Sequence, residues 1–221
     1  MPIQIDAELK GCFPGLQVLV GHVKDVKVGR SGLEIQKFWE ELFKEVKEKY
    51  SLESLKDVPV FRAYRDFFWR AGIDPTKIRP ASEALIRRML AGKSIPSINN
   101  VVDAYNLASI KTEVALAAFD EDELKGNLVM RFARKGEKFL GIGMQEPMEL
   151  NGGEIVISDA EKMIAVYPYR DAEQSKISNK TRNVLLLVCG APGIEEETLV
   201  KAGEVALSYI TKFCGGEGKL E

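Results

Sequence analysis

Apolar residues recur at Ile35, Phe38, Trp39, Leu42, Phe43 and Val46, with lysine and glutamate between them. Steps of three and four put them on one face of a helix, so the pattern predicts an amphipathic helix over 32–50. Ser31 and Glu34 stand at capping-box spacing at its start. Two further helices are expected over 60–71 and 82–91, stopped by Gly72 and Gly92, with a loop containing two prolines between them. A short helix opening at Asn99 or Asn100 carries Val102, Tyr105 and Asn106. From Val114 the texture changes to strands, expected over 114–119, 128–132, 139–142, 154–158, 163–167 and 184–189. Lys135-Gly136-Glu137 and Asn151-Gly152-Gly153 supply turns. The chain closes with an amphipathic helix over 195–213, acidic at its start as the helix dipole favours, and a frayed tail at 215–218. Before Arg30, two short strands are expected on either side of the turn cluster 11–15.

These elements predict one α+β domain over residues 1–221, with mainly antiparallel, sandwich-like sheets flanked by helices. A chain of 221 residues buries a substantial core. No apolar run approaches the roughly 20 residues that cross a bilayer, so no membrane partner is expected. The N-terminus lacks a basic segment followed by a long apolar one, which argues against secretion. Three cysteines, Cys12, Cys189 and Cys214, with no close pair, fit a reducing cytoplasm better than a disulfide framework or a cysteine zinc site. His22 is the only histidine. That excludes a histidine-pair metal site, and the strand around it reads as housing a strand-end histidine with a local hydrogen bond. With 31 basic and 33 acidic side chains the net charge is -2, so any nucleic-acid contact must be local.

The most distinctive stretch is 99–137, where polar residues break strong apolar runs: Asn99-Asn100-Val101-Val102-Asp103-Ala104-Tyr105-Asn106, then Ala118-Phe119-Asp120, then Gly126 through Glu137. Together with Phe61-Arg62-Ala63-Tyr64, Gly72-Ile73-Asp74, Arg79 to Leu85 and Gly153 to Asp159, it resembles the B3/B4 tRNA-editing domain in the beta chain of phenylalanyl-tRNA synthetase, and its free-standing relatives. The resemblance covers about residues 61–189, with an N-terminal strand and helix extension over 1–58.

The resemblance implies a trans-editing hydrolase of a mischarged aminoacyl-tRNA that uses a positioned water and neither metal nor organic cofactor. Asn106 matches the asparagine of the family's pocket, and Thr181 keeps its threonine; these two are the candidate catalytic residues. Asn100, Tyr105, Ala117, Ser175 and Lys176 are the candidate substrate contacts. Ala117 stands where the family has histidine, and Lys176 where it has the glutamate that recognises a tyrosyl hydroxyl, so a preference for that hydroxyl is expected to be lost. Ester hydrolysis needs placed water and oxyanion donors rather than a side-chain nucleophile. Arg170, Lys180 and Arg182, with Lys176, form a local basic cluster suited to phosphates at the 3′ end of a tRNA. Asp103, Asp120 and Glu137 are read as structural, Asp120 as a cap before Glu121 and Glu137 at a turn. Arg131 is expected to pair with Glu154 or Asp159. Two other functions fit the same residues: a non-catalytic RNA-binding module, favoured by Ala117, and a pocket for a free amino acid or small metabolite.

Overall fold

A computed structural model describes residues 3–221. The long alternating and periodic runs form the elements their patterns predict. Helix α2 spans Leu33–Lys49, α3 Pro59–Arg70, α4 Ala81–Leu90 and α5 Asn100–Thr112, while α6 closes the chain over Glu196–Cys214. The first residues give strand β1 (Ile3–Ile5), a one-and-a-half-turn helix α1 (Ala7–Cys12) and β2 (Val18–Lys24). Helix α1 replaces part of the expected strand–turn–strand, because Asp6 caps it by accepting from the Glu8 N–H.

Two sheets carry the rest. The first, ordered β1-β4-β7-β8-β9, adds β4 (Leu128–Phe132), β7 (Ile155–Ser158), β8 (Met163–Val166) and β9 (Arg170–Asp171). It is antiparallel except where β1 runs parallel to β4. The second, ordered β11-β2-β10-β3, is wholly antiparallel and contains β3 (Ala115–Asp120), β10 (Val184–Cys189) and β11 (Glu217–Leu220). A small ribbon pairs β5 (Lys138–Phe139) with β6 (Met148–Glu149). Strands β3 and β10 are buried at every position, as expected for strands covered on both faces. Helices α5 and α6 pack along each other, and α6 covers β2, β10 and β11. One hydrophobic cluster joins residues of both sheets, and a second binds α2, α4 and α5. The 1–58 segment contributes a strand to each of the two larger sheets.

Several local expectations are corrected. The expected tail at 215–218 is instead the turn and start of β11, which pairs with β2. Gly216 sits at φ +86°, and a Cβ there would collide with the Lys24 carbonyl, so only glycine allows the chain to double back so closely. Ser31 does not cap α2. The N-cap is Gly32 without a side-chain bond, because the Ser31 hydroxyl donates to Asp103. The strand expected over 139–142 shrinks to β5, followed by an isolated bridge from Gly141 to Ala172. Arg131 pairs with Glu137 in a bidentate bond, not with Glu154 or Asp159. Glu137 does lie at a turn, with its N–H bonded to the Arg134 carbonyl, and Asp120 does cap the residues after it. His22 sits inside β2 and bonds Glu121 through Nδ1.

Candidate functional site

The two sheets meet at a small cavity of about 80 Å³ between the β3–β10 pair and the β8–β9 hairpin. Ala115, Ala117, Leu187 and Cys189 line one side, Ala165, Tyr167, Tyr169 and Asp171 the other, and Ala81 from α4 reaches it as well. Strand register makes this wall. Ala117 faces Leu187 and Ala115 faces Cys189 across the β3–β10 pair, while Ala165 faces Asp171 across β8–β9. Alternation sends 115 and 117, and 187 and 189, to the same sheet face. The four alanines lining the cavity leave space that larger side chains would fill.

Tyrosine hydroxyls fasten the rim. Tyr64 donates to the Cys189 carbonyl and accepts from the Ala115 N–H, and Tyr167 donates to the Gly190 carbonyl. Both phenols are pushed far up by burial. Gly190 is required at this point, since a Cβ would run into the Gln17 carbonyl. Cys189 is no nucleophile: burial, reinforced by Asp171, raises its thiol far above the ordinary range. Asp171 is different. Burial pushes its carboxyl up to about 7. Among the described residues the side chain makes no hydrogen bond or ion pair, and it is the sole acid lining the cavity. Neither lysine nor arginine lines it. Tyr105, half-buried on α5, lies close enough for Asp171 to raise its phenol further, after burial.

The residues proposed from sequence are divided by the structure. Ala117 lines the cavity. Asn106 and Thr181 do not. Asn106 is half-buried on α5, and among the described residues its amide makes no hydrogen bond. The buried Thr181 hydroxyl donates to Asp120 and accepts from the Ser178 N–H, stapling the 175–183 loop to the end of β3. Its bonding capacity is committed to structure. Asn100 is likewise spent on backbone, accepting from Gly29 and donating to Lys27. Ser175 is fully buried, and its hydroxyl finds no partner among the described residues. Lys176 is exposed and pairs with Glu173, so its charge is partly answered outside the cavity. Arg170, Lys180 and Arg182 are exposed, and Arg182 donates to carbonyls of its own loop. Asp171, Leu187, Cys189 and Tyr167 were missed from the sequence. The available signal was an acid following an aromatic, proline-containing run, Tyr167-Pro168-Tyr169-Arg170-Asp171.

A wider cleft of about 480 Å³ opens between α2 and the 92–97 loop, with Trp39, Phe43 and Met89 on its walls. Its Asp103 carboxylate already accepts from Ser31, Ser97 and the Ile98 N–H. Three donors already occupy that carboxylate, and none of the candidate site residues lines the cleft. The small cavity is therefore the better chemical candidate. Among the described residues no group of histidine, cysteine or acid side chains has metal-binding geometry, and no helix is long and apolar enough to cross a membrane.

Comparison with known proteins gives the kinship. The family model of the B3/4 domain matches residues 63–215. Phenylalanine–tRNA ligase beta subunit of Aquifex aeolicus is 36% identical over 105 residues, covering 48% of this chain and 13% of that protein. The corresponding subunit of Geobacter metallireducens is 38% identical over 110 residues, 49% of this chain and 14% of its own length. This chain thus spans a small fraction of the relatives it matches. An N-terminal fragment of the phenylalanyl-tRNA synthetase beta subunit from Pyrococcus horikoshii matches in structure with a TM-score of 0.53 at 15% identity, covering 98% of this chain and 49% of that one. That likeness shows the fold.

Proposed function

We propose, from the premise that this chain belongs to the B3/4 domain family, that it is a hydrolase of the ester between an amino acid and the 3′ end of a tRNA. The observation that carries the reading is the cavity between the sheets, bounded by Ala117 and closed by tyrosine bonds, in a chain whose relatives are phenylalanine–tRNA ligase subunits. An aminoacyl group enters the cavity, and the exposed cations Arg170, Lys180 and Arg182 meet the terminal phosphates. Water is the nucleophile. Backbone N–H groups at strand ends offer donors to the developing oxyanion. Positioning alone gives an activated ester substantial rate. The activity belongs with cytoplasmic translation.

The test is incubation with a panel of aminoacyl-tRNAs, following ester loss for the wild type and for Ala117→Leu. The leucine fills the cavity wall and is expected to lower the rate at least tenfold, the size of effect that loss of positioning brings. Equal rates would detach the chemistry from this cavity. One observation favours a second reading, a tRNA-binding module without turnover. Ala117 brings no proton-transfer group, and the Thr181 hydroxyl is held by Asp120 and Ser178. Binding of deacylated tRNA with no ester loss from any charged tRNA would establish it.

A further inference from the structure

We infer that the cavity selects a small amino acid by its ammonium group, with the Asp171 carboxylate as the acceptor. This inference rests on the hydrolase reading and names its substrate class.

Size is the first argument. A cavity of about 80 Å³ is about half the roughly 150 Å³ of an engineered apolar cavity that admits benzene. It accepts the side chain of glycine, alanine or serine and refuses a phenyl or phenol ring. Leu187 of β10 and the ring of Tyr167, in the turn after β8, set that limit from opposite sides. The Tyr167 ring is fixed by its hydroxyl bond to the Gly190 carbonyl and cannot swing away cheaply.

Charge is the second argument. The cavity holds one carboxyl, and no cation lines it. A carboxylate in such a place is costly unless something pairs with it. The groups facing Asp171 are Tyr105 from α5, Cys189 from β10, and Tyr167 and Tyr169 beside it. None is a cation. Its neighbour Arg170 is exposed, as strand alternation requires. An entering ammonium is the partner the protein does not supply. It forms a charge-assisted bond with a half-buried carboxylate, stronger than a neutral hydrogen bond in the same place. Every aminoacyl ester carries that ammonium, and among amino acids the small ones bring it within reach of Asp171 without a clash. With Asp171 near 7 and an α-amino group near ~8, both partners are charged only in the interval between, so binding peaks there.

The experiment measures binding of L-alaninamide, L-serinamide, L-tyrosinamide and N-acetyl-L-alaninamide to the wild-type chain by calorimetry between pH 6 and pH 9. It is run beside deacylation of Ala-, Ser- and Tyr-tRNA. Alaninamide and serinamide are expected to bind at least tenfold more tightly than tyrosinamide. Acetylation, which removes the ammonium, is expected to weaken binding by a similar factor, and so is Asp171→Asn. Equal binding of tyrosinamide, or indifference to acetylation, overturns the inference even if the variant does not fold. Failure of all four amides to bind overturns it too. Amide binding without ester loss from any tRNA keeps the inference and removes the hydrolase. Ester loss that favours Tyr-tRNA keeps the hydrolase and removes the inference.

Discussion

Asp171 carries an energetic cost that the rest of the cavity does not. Its folded carboxyl lies near 7 because of burial, against about 3.9 in an unfolded chain. The folded state therefore holds a proton that the unfolded state has released. Its contribution to stability is complete below about 4, declines as pH rises, and is lost once pH passes 7. Asparagine does not titrate. Thermal melts of Asp171→Asn and wild type should show a difference in the variant's favour that grows from pH 4 to pH 7 and is flat above it. A constant difference across that range would mean that burial does not raise the carboxyl in the folded protein. A stabilising substitution at a lining residue is the pattern expected where binding and stability oppose each other. Thr181 teaches the opposite lesson. Sequence presents it as a hydroxyl available for chemistry, but its acceptor, Asp120, lies 61 residues away. No local spacing reveals such a bond. Ala117 is legible from sequence only through the family resemblance, which aligns it with the position where the family has histidine. Asp171 is not legible in the sequence, because its place on the wall depends on β8 and β9 folding against the other sheet.

At the scale of elements, the helical layer is tied together by one buried acid. Glu83 on α4 is wholly buried and takes a bidentate bond from Arg65 on α3 and another from Arg87 one turn along. Burial would raise its carboxyl, but the two guanidiniums outweigh burial and hold it below the usual range. Glu83→Gln should cost about 2 to 3 kcal/mol, below the ~3–5 kcal/mol of a fully buried pair, because both arginines still reach solvent. A urea midpoint unchanged from wild type at pH 7 would refute that staple. The element boundaries show which patterns are readable. Helix α2 and strands β3 and β10 are long and strongly patterned, and their expected spans match to within two residues. Helix α1, β6 and β9 are too short to display a period. Strand β11 is hidden by its glycines, which a sequence reader takes for a loose end. Their real cause is proximity: a Cβ on Gly218 would press against Thr211 of α6, and one on Gly203 would press against Leu220. Glycine in a strand often marks such close approach.

The whole molecule has a net charge of -2, and this limits how it can hold a polyanion. Non-specific attraction over such a surface is weak, so under the proposed function the affinity for tRNA comes from a few cations and from the occupied cavity together. Lys176 is already paired with Glu173. Arg170, Lys180 and Arg182 remain as exposed cations of the cluster. Each phosphate contact on a single strand releases close to 0.7 of a counterion. Two or three contacts then give a slope of log affinity against log salt of roughly -1.4 to -2.1. Replacing both Lys180 and Arg182 by alanine should reduce the magnitude of that slope by about 1.4 and weaken binding of every tRNA alike. The preference among aminoacyl groups should survive, because the residues lining the cavity are unchanged. A wild-type slope much steeper than this range would mean that the chain grips the body of the tRNA through a surface outside the cluster. A double variant that lost the amino-acid preference as well would mean that the 175–183 loop shapes the cavity rather than serving only the phosphates.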